Sequence, residues 1–317
     1  MKTKEAVSIV IPVYNGENSI NRLVTLLIDS FEKRYDLEII LVNDCSPDNS
    51  EAVCIALFEK FEAVKFYSLA KNVGEHNAVM AGLNKSTGDF TVIMDDDFQN
   101  PVSEVEKLIS YAIGSSFDVV YTFYDKKRHS FFRNLGSKFN DKVATILLKK
   151  PSDLYLSSFK IINRFLVNEI IKYDLPFPYI DGLILRTTNN IGKIKVLHNE
   201  RIEGTSNYTF KKLFALWLNM FTNFSILPLR FSMIVGFVFS LFGLGYGIFS
   251  FVEKFLNPDL PMGYTTIVIF ISIFSGIQLI ALGMVGEYLG RMFMSQNKQP
   301  QYSIKKSFQR DYGETRV

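Results

Sequence analysis

Three aspartates in a row, Asp95, Asp96 and Asp97, follow the apolar run of residues 90–94. Consecutive carboxylates repel one another unless a cation compensates them. Alternate residues at a strand end point the same way, so Asp95 and Asp97 can share one ion while Asp96 faces elsewhere. A hard divalent ion held by one or two carboxylates and completed by phosphate oxygens is the usual magnesium arrangement. The same residues also read as an acidic turn before a helix that begins near Pro101, with Asn100 as its cap. From the triplet alone both readings stand.

Such a site needs a rigid frame, and the first two thirds of the chain supply its pattern. Residues 7–11 form a β-branched run that stops at Pro12, as a buried parallel strand does. Residues 19–31 carry Ile20, Leu23, Val24, Leu27 and Phe31 on one helical face. Residues 37–42 read as a second strand and 50–61 as a second helix. The alternation continues through 64–69, 77–83, 90–94, 101–113 and 118–122, with Pro101 in the favoured first-turn position. Strand–helix alternation of this kind predicts an α/β fold: a mostly parallel sheet covered by helices on both faces. In open parallel sheets, ligands bind beyond the carboxyl ends of the strands. Those ends here read Pro12-Val13-Tyr14-Asn15, Asn43-Asp44-Cys45-Ser46 and the acidic triplet.

Other classes lose their signals. A net charge of +3 gives no global basic field, so no nucleic acid is expected as partner. No glycine-rich dinucleotide turn follows the first strand, and no P-loop is present. Cys45 and Cys54 have no metal or disulfide spacing and read as buried or half-buried thiols of a reducing compartment. The apolar run after the charged residues 1–6 ends at Pro12, too short for a signal peptide, so it reads as the first strand.

The last third differs in kind. Residues 231–252 and 265–286 each lack any Asp, Glu, Lys, Arg or His. Helices of that length span the roughly 30 Å hydrocarbon core of a bilayer. The connector 253–264 is short and slightly acidic, and both outer flanks are basic. The positive-inside rule then predicts a multi-pass protein of the plasma (inner) membrane, with its catalytic domain and both termini cytoplasmic. Glycines in both blocks allow close helix contact, hence a possible homo-oligomer. Residues 208–224 mix Phe210, Phe214, Trp217 and Phe221 with Lys211 and Lys212, which suits an interfacial helix; a core helix is the alternative. The expected divisions are a catalytic domain over 1–207, an interfacial helix over 208–228, two membrane helices over 229–290 and a basic tail over 291–317.

Four motifs occur in a telling order: Ser-Ile-Val-Ile-Pro-Val-Tyr-Asn over 8–15, Asn-Asp-Cys-Ser-Pro-Asp over 43–48, Lys-Asn-Val-Gly-Glu-His-Asn-Ala over 71–78, and Asp-Asp-Asp-Phe-Gln-Asn-Pro over 95–101. In that order they resemble family 2 glycosyltransferases. More closely, the chain resembles the polyprenyl-phosphate glycosyltransferases, which include dolichol-phosphate mannose synthases and bacterial enzymes that load undecaprenyl phosphate. The resemblance implies a GT-A, Rossmann-like fold followed by an interfacial helix and two transmembrane helices. It implies that Pro12, Val13 and Tyr14 line the nucleobase pocket and that Asp44 hydrogen-bonds the base. Asp95 and Asp97 match the metal-binding pair for Mg²⁺ or Mn²⁺, with Asp96 and Gln99 at the nucleotide. Gly74 and His76 fall in a loop near it, where His76 reads equally as an active-site contact or a structural one. Arg133 with Ser137 matches an element used at the acceptor phosphate, and Arg201 and Ser206 fall in a loop that reaches the diphosphate or the acceptor. Relatives often carry glutamate directly after Tyr-Asn; here Gly16 stands there and Glu17 follows, with Glu17 taken as a nucleotide contact.

Two departures stand out. Where many relatives have an aspartate proposed as base in an Asp-Phe-Arg segment, this chain has Ser158-Phe159-Lys160, with Asp153 nearby as a substitute. Where relatives often have arginine, Tyr124 stands. A phosphate monoester is mostly a dianion at neutral pH and needs little help to lose a proton. The resemblance thus implies an inverting transferase that moves a sugar from a nucleoside-diphosphate donor, with UDP ahead of GDP or dTDP, to undecaprenyl or dolichyl phosphate, and with the lipid bilayer as partner. Action on a lipid-linked glycan and a non-catalytic scaffold are the alternatives.

Overall fold

A computed structural model of the chain describes residues 4–124, 145, 150–197, 227–257, 263–297 and 299–310. It divides into two compact units, one formed by Met1–Phe210 with Gln299–Val317, the other by Lys211–Lys298.

In the first unit the elements run β1 (Ala6–Val13), α1 (Ile20–Phe31), β2 (Asp36–Asn43), α2 (Ser50–Lys60), β3 (Val64–Leu69), α3 (Glu75–Leu83), β4 (Phe90–Ile93), α4 (Val102–Ile113) and β5 (Val119–Phe123). After them come β6 (Lys160–Asn163), α5 (Arg164–Ile170), α6 (Ile180–Thr187) and β7 (Ile191–Lys195). The second unit contributes α7 (Leu227–Leu256) and α8 (Tyr264–Gln296), and the chain returns to the first unit as β8 (Ile304–Phe308).

All eight strands form one sheet in the order β7-β5-β6-β4-β1-β2-β3-β8. The sheet is mixed: six strands run one way, as a mostly parallel sheet requires, and β6 and β8 run against them. β4, β1, β2 and β3 are parallel, as are β5 and β7. β6, however, inserts antiparallel to both β4 and β5, and β8 adds antiparallel to the free side of β3. Burial on both faces explains the apolar strands. Val7, Ile9, Ile11 and Val13 join the core with Leu23 and Leu27 of α1 and Val105 and Leu108 of α4. Val10, of opposite parity, faces α3, where a β-carbon on Gly82 would come within 2.4 Å of it. Gly82 is therefore what lets α3 lie close against the sheet.

One carboxylate is fully engaged inside this frame. Glu38 accepts hydrogen bonds from Ser8, from the Thr87 amide and hydroxyl, and from Lys65. Burial opposes its charge, but these donors together hold its pKa below the ordinary carboxylate value.

β8 occupies what was expected to be a free basic tail. Phe308 stacks on Phe66 at 5.6 Å and tilts against Phe58 at 5.7 Å. Lys306 bonds Glu51 at 2.5 Å, and Arg310 donates to the Phe58 carbonyl at 3.0 Å. An edge strand that would otherwise expose a row of amides is thereby covered.

In the second unit, two spans, Leu229–Glu253 and Ile273–Gln296, are long and apolar enough to cross a membrane by length and composition. Tyr246 and Phe274 of these helices each pack against Phe270, at 4.9 and 6.0 Å between ring centroids.

Candidate active site

The register aligns the strand ends. Val13 of β1 pairs with Asn43 of β2, and Asn43 with Ser68 of β3. Beyond these ends the loops bond to each other as well as to themselves. The Asp44 amide donates to the Val13 carbonyl at 2.9 Å, the Asn15 amide to Ser46 Oγ at 3.2 Å, and the Gly16 amide to Ser50 Oγ at 2.9 Å. Glu17 closes a reciprocal pair: its amide donates to Asp48 Oδ2 at 3.1 Å while its carboxylate accepts from the Asn49 amide at 3.0 Å. Asn15, Cys45 and Phe98, one beyond each of β1, β2 and β4, all have positive φ (59°, 54° and 58°). Left-handed backbone costs energy for a cysteine or phenylalanine, and such strain collects at functional loops.

Asp44 is 3% exposed, and its carboxylate accepts from the amides of Val73 at 2.8 Å and Gly74 at 2.9 Å. Burial raises its pKa while the two amides lower it, and burial prevails. Asp44 thus pins the loop between β3 and α3 to the end of β2. Gly74 supplies the φ of 89° that this loop requires. Val13 is buried in the core, Pro12 half-buried and Tyr14 exposed.

The acidic triplet lies just past β4, and its three side chains diverge. Ser158 donates to Asp95 Oδ2 at 2.7 Å. Asp96 packs against the β1 loop, where a β-carbon on Gly16 would lie 2.1 Å from Asp96 Oδ2. Asp97 Oδ1 accepts from the Gln99 amide at 3.1 Å and closes a tight turn. Asn100 does not cap the following helix. Its Oδ1 accepts from the Tyr124 hydroxyl at 3.1 Å, and the cap position is Pro101, without a side-chain bond.

Burial, followed by the charge of Glu75, pushes the Asp95 pKa up to about 7; Asp97 adds to the rise, and Ser158 and Lys160 oppose it. A cation at this point would reverse that balance. Among the described residues no three His, Cys, Asp or Glu are grouped to hold a metal ion. Asp95 and Asp97 are near enough for the charge of Asp97 to raise the Asp95 pKa, and both offer oxygen donors of the kind a hard divalent ion takes.

Behind Asp95 lies an arrangement the sequence did not disclose. Lys160, 3% exposed, forms an ion pair with Asp181 of α6, and Tyr121 donates to the same carboxylate at 2.8 Å. His76 sets its ring edge-on to Tyr179 at 5.0 Å. Asp153, the carboxylate near the Ser158 segment, is exposed and ion-paired with Lys193. Cys54 is buried, and burial pushes its thiol up; Cys45 is exposed, contrary to the expectation of a buried or half-buried thiol. Arg133, Ser137, Arg201, Ser206 and residues 208–226 of the expected interfacial helix lie outside the described residues.

The model of Glycosyl transferase family 2 matches residues 8–171, which run from β1 through α5 and take in the acidic triplet and Ser158 but not Tyr179 or Asp181. The chain belongs to glycosyltransferase family 2. Within the family it is 31% identical over 305 residues to the undecaprenyl-phosphate 4-deoxy-4-formamido-L-arabinose transferase of Proteus mirabilis, covering 95% of this chain and 93% of that one. It is 32% identical to the Edwardsiella ictaluri transferase of the same name, covering 96% and 94%. Among solved structures, glucosyl-3-phosphoglycerate synthase from Mycobacterium tuberculosis, crystallised with Mn²⁺, uridine diphosphate and phosphoglyceric acid, has the same fold. Its TM-score is 0.51 at 19% identity, over 67% of this chain and 74% of that one.

These findings correct the expected localisation. The multi-pass inner-membrane placement, with catalytic domain and both termini cytoplasmic, does not stand. The family 2 fold is shared with a synthase solved with a small phosphorylated acid, so the fold itself demands no membrane, and the two apolar helices qualify by length and composition alone.

Proposed function

We propose that this chain is an inverting glycosyltransferase that moves a sugar from a nucleoside-diphosphate donor to a polyprenyl phosphate. The observation that carries the reading is the acidic triplet at the carboxyl end of β4, beside the loops of β1 and β2, in a chain similar over 95% of its length to transferases named for undecaprenyl phosphate.

Tyr14 and Pro12 take the nucleobase with Val13 packed beneath them, and Asp44 holds the loop between β3 and α3 beside it. Asp95 and Asp97 hold the divalent ion, with Gln99 and Asp96 beside the diphosphate. Bound there, Mg²⁺ or Mn²⁺ neutralises charge on the departing diphosphate. Arg133 with Ser137, and Arg201 with Ser206, bind the acceptor phosphate through charge-assisted hydrogen bonds, a role that rests on their match to the family motifs. The acceptor oxygen attacks the anomeric carbon from the face opposite the leaving diphosphate. Ser158 cannot act as a carboxylate base, and the acceptor dianion supplies its own nucleophilic oxygen.

The test is transfer by the purified full chain, with undecaprenyl phosphate in detergent, a panel of UDP-, GDP- and dTDP-sugars, and Mn²⁺ or EDTA. Mass spectrometry should find a singly glycosylated lipid phosphate only when metal is present. Full-speed transfer by Asp95→Ala/Asp97→Ala, or in EDTA, would overturn the mechanism; extension of a lipid-linked glycan alone would overturn the acceptor.

A further inference from the structure

We infer that Ser158 is a positioning residue that aims the Asp95 carboxylate at the divalent ion, a role that deepens the metal reading above and rests on it. Register explains how the two residues meet. β6 runs antiparallel to β4 with Ile93 opposite Lys160. Continuing that register by two residues in each direction brings 95 opposite 158. The Ser158 hydroxyl then donates to Asp95 Oδ2 at 2.7 Å. A carboxylate oxygen held by a hydroxyl fixes the plane of the whole group, and the other oxygen is left to face the ligand.

The neighbouring residue secures the far end of the same loop. Ser157, 3% exposed, lies 3.0 Å from Thr122 Oγ1 and 3.2 Å from the Tyr124 hydroxyl. Tyr124 in turn donates to Asn100 Oδ1 at 3.1 Å. The two consecutive serines therefore reach the acidic loop at both of its ends, Ser158 directly at Asp95 and Ser157 through Tyr124 at Asn100. Thr122 donates to the Phe159 carbonyl at 2.7 Å, which ties the serine pair to β5. The loop is braced by a strand that the parallel part of the sheet could not have supplied.

The experiment compares Ser158→Thr with Ser158→Val, two side chains of one shape that differ only in the hydroxyl, with Ser158→Ala as a third variant. Mn²⁺ affinity is read from the electron paramagnetic resonance of free Mn²⁺, with and without UDP, alongside kcat and KM for each substrate. Outer partners of metal ligands are worth roughly 10- to 100-fold in affinity or activity. The Thr variant should match the unsubstituted chain. The Val variant should bind Mn²⁺ about tenfold more weakly and lose kcat while KM for the lipid holds. Equal Mn²⁺ affinity for Thr and Val overturns the inference and leaves the metal reading intact. Failure of the unsubstituted chain to bind Mn²⁺ in the presence of UDP overturns the metal reading and this inference together.

Discussion

Gly16 and Asp96 sit so close that any β-carbon at residue 16 would fall 2.1 Å from Asp96 Oδ2. The contact joins the loop of β1 to the loop of β4 across the proposed nucleotide site. Gly16→Ala must push the Asp96 carboxylate aside, and misplacement of a site group by about 1 Å can cost up to about 100-fold in rate. Steady-state kinetics should show turnover lowered about 10- to 100-fold, with the melting temperature little changed. Unaltered kcat/KM would mean that the position of Asp96 is immaterial.

The Lys160–Asp181 pair has both side chains largely out of water, at 4% and 10% exposure. Removing one partner strands the other charge, which typically costs about 3–5 kcal/mol. Lys160→Met should therefore lower stability in urea by about that much. Lys160→Met/Asp181→Asn should recover most of the loss, because the amide oxygen still accepts from Tyr121.

His76 sets a pH dependence. Burial lowers its pKa to about 4, and Asp181, which raises it, and Lys160, which lowers it, act more weakly. The unfolded imidazole titrates near 6.5. A folded pKa below the unfolded one means that the stability His76 contributes is complete above about pH 6.5 and drains away as pH falls toward 4. His76 by itself lowers the unfolding free energy by about 1 kcal/mol per pH unit across that window, and Asp95, its carboxyl pushed up to about 7, acts in the opposite direction there. Stability measured against pH for the unsubstituted chain and for His76→Gln should therefore differ in slope by about 1 kcal/mol per pH unit between pH 4 and 6.5, and equal slopes would show that His76 takes up no proton on unfolding; Glu38, held below the ordinary carboxylate value, loses its contribution only at lower pH.

Phe308 tests the returning strand. Truncating a buried phenylalanine costs about 3–5 kcal/mol, and this ring, half-buried between Phe58 and Phe66, should account for about 2 kcal/mol. Phe308→Ala should bring faster amide exchange along β3, measured by mass spectrometry, while β1 and β4 stay protected.

The first half of the fold was legible because its elements are selected by local pattern. The run at 64–69 matches β3 residue for residue, and 19–31 and 37–42 fall within a residue of α1 and β2 at either end. β6 and β8 were not legible. The first is four residues long and opens on a lysine, which is buried only because Asp181 and Tyr121 meet it there. The second, Ile-Lys-Lys-Ser-Phe, reads as a charged tail until Phe66 and Phe58 provide a surface for Phe308. The acidic triplet could be read from the sequence because charge density announces itself. Its partner Ser158 registered only as a missing aspartate, since nothing local reveals that the strand carrying it runs backwards beside β4.

Because β8 follows α8, the two long helices are an insertion within the catalytic unit and not an appendage to it. During synthesis the outer side of β3 stays unpaired until the chain beyond both helices has been made. A chain cut before the helices would carry a sheet whose border at β3 has no partner strand.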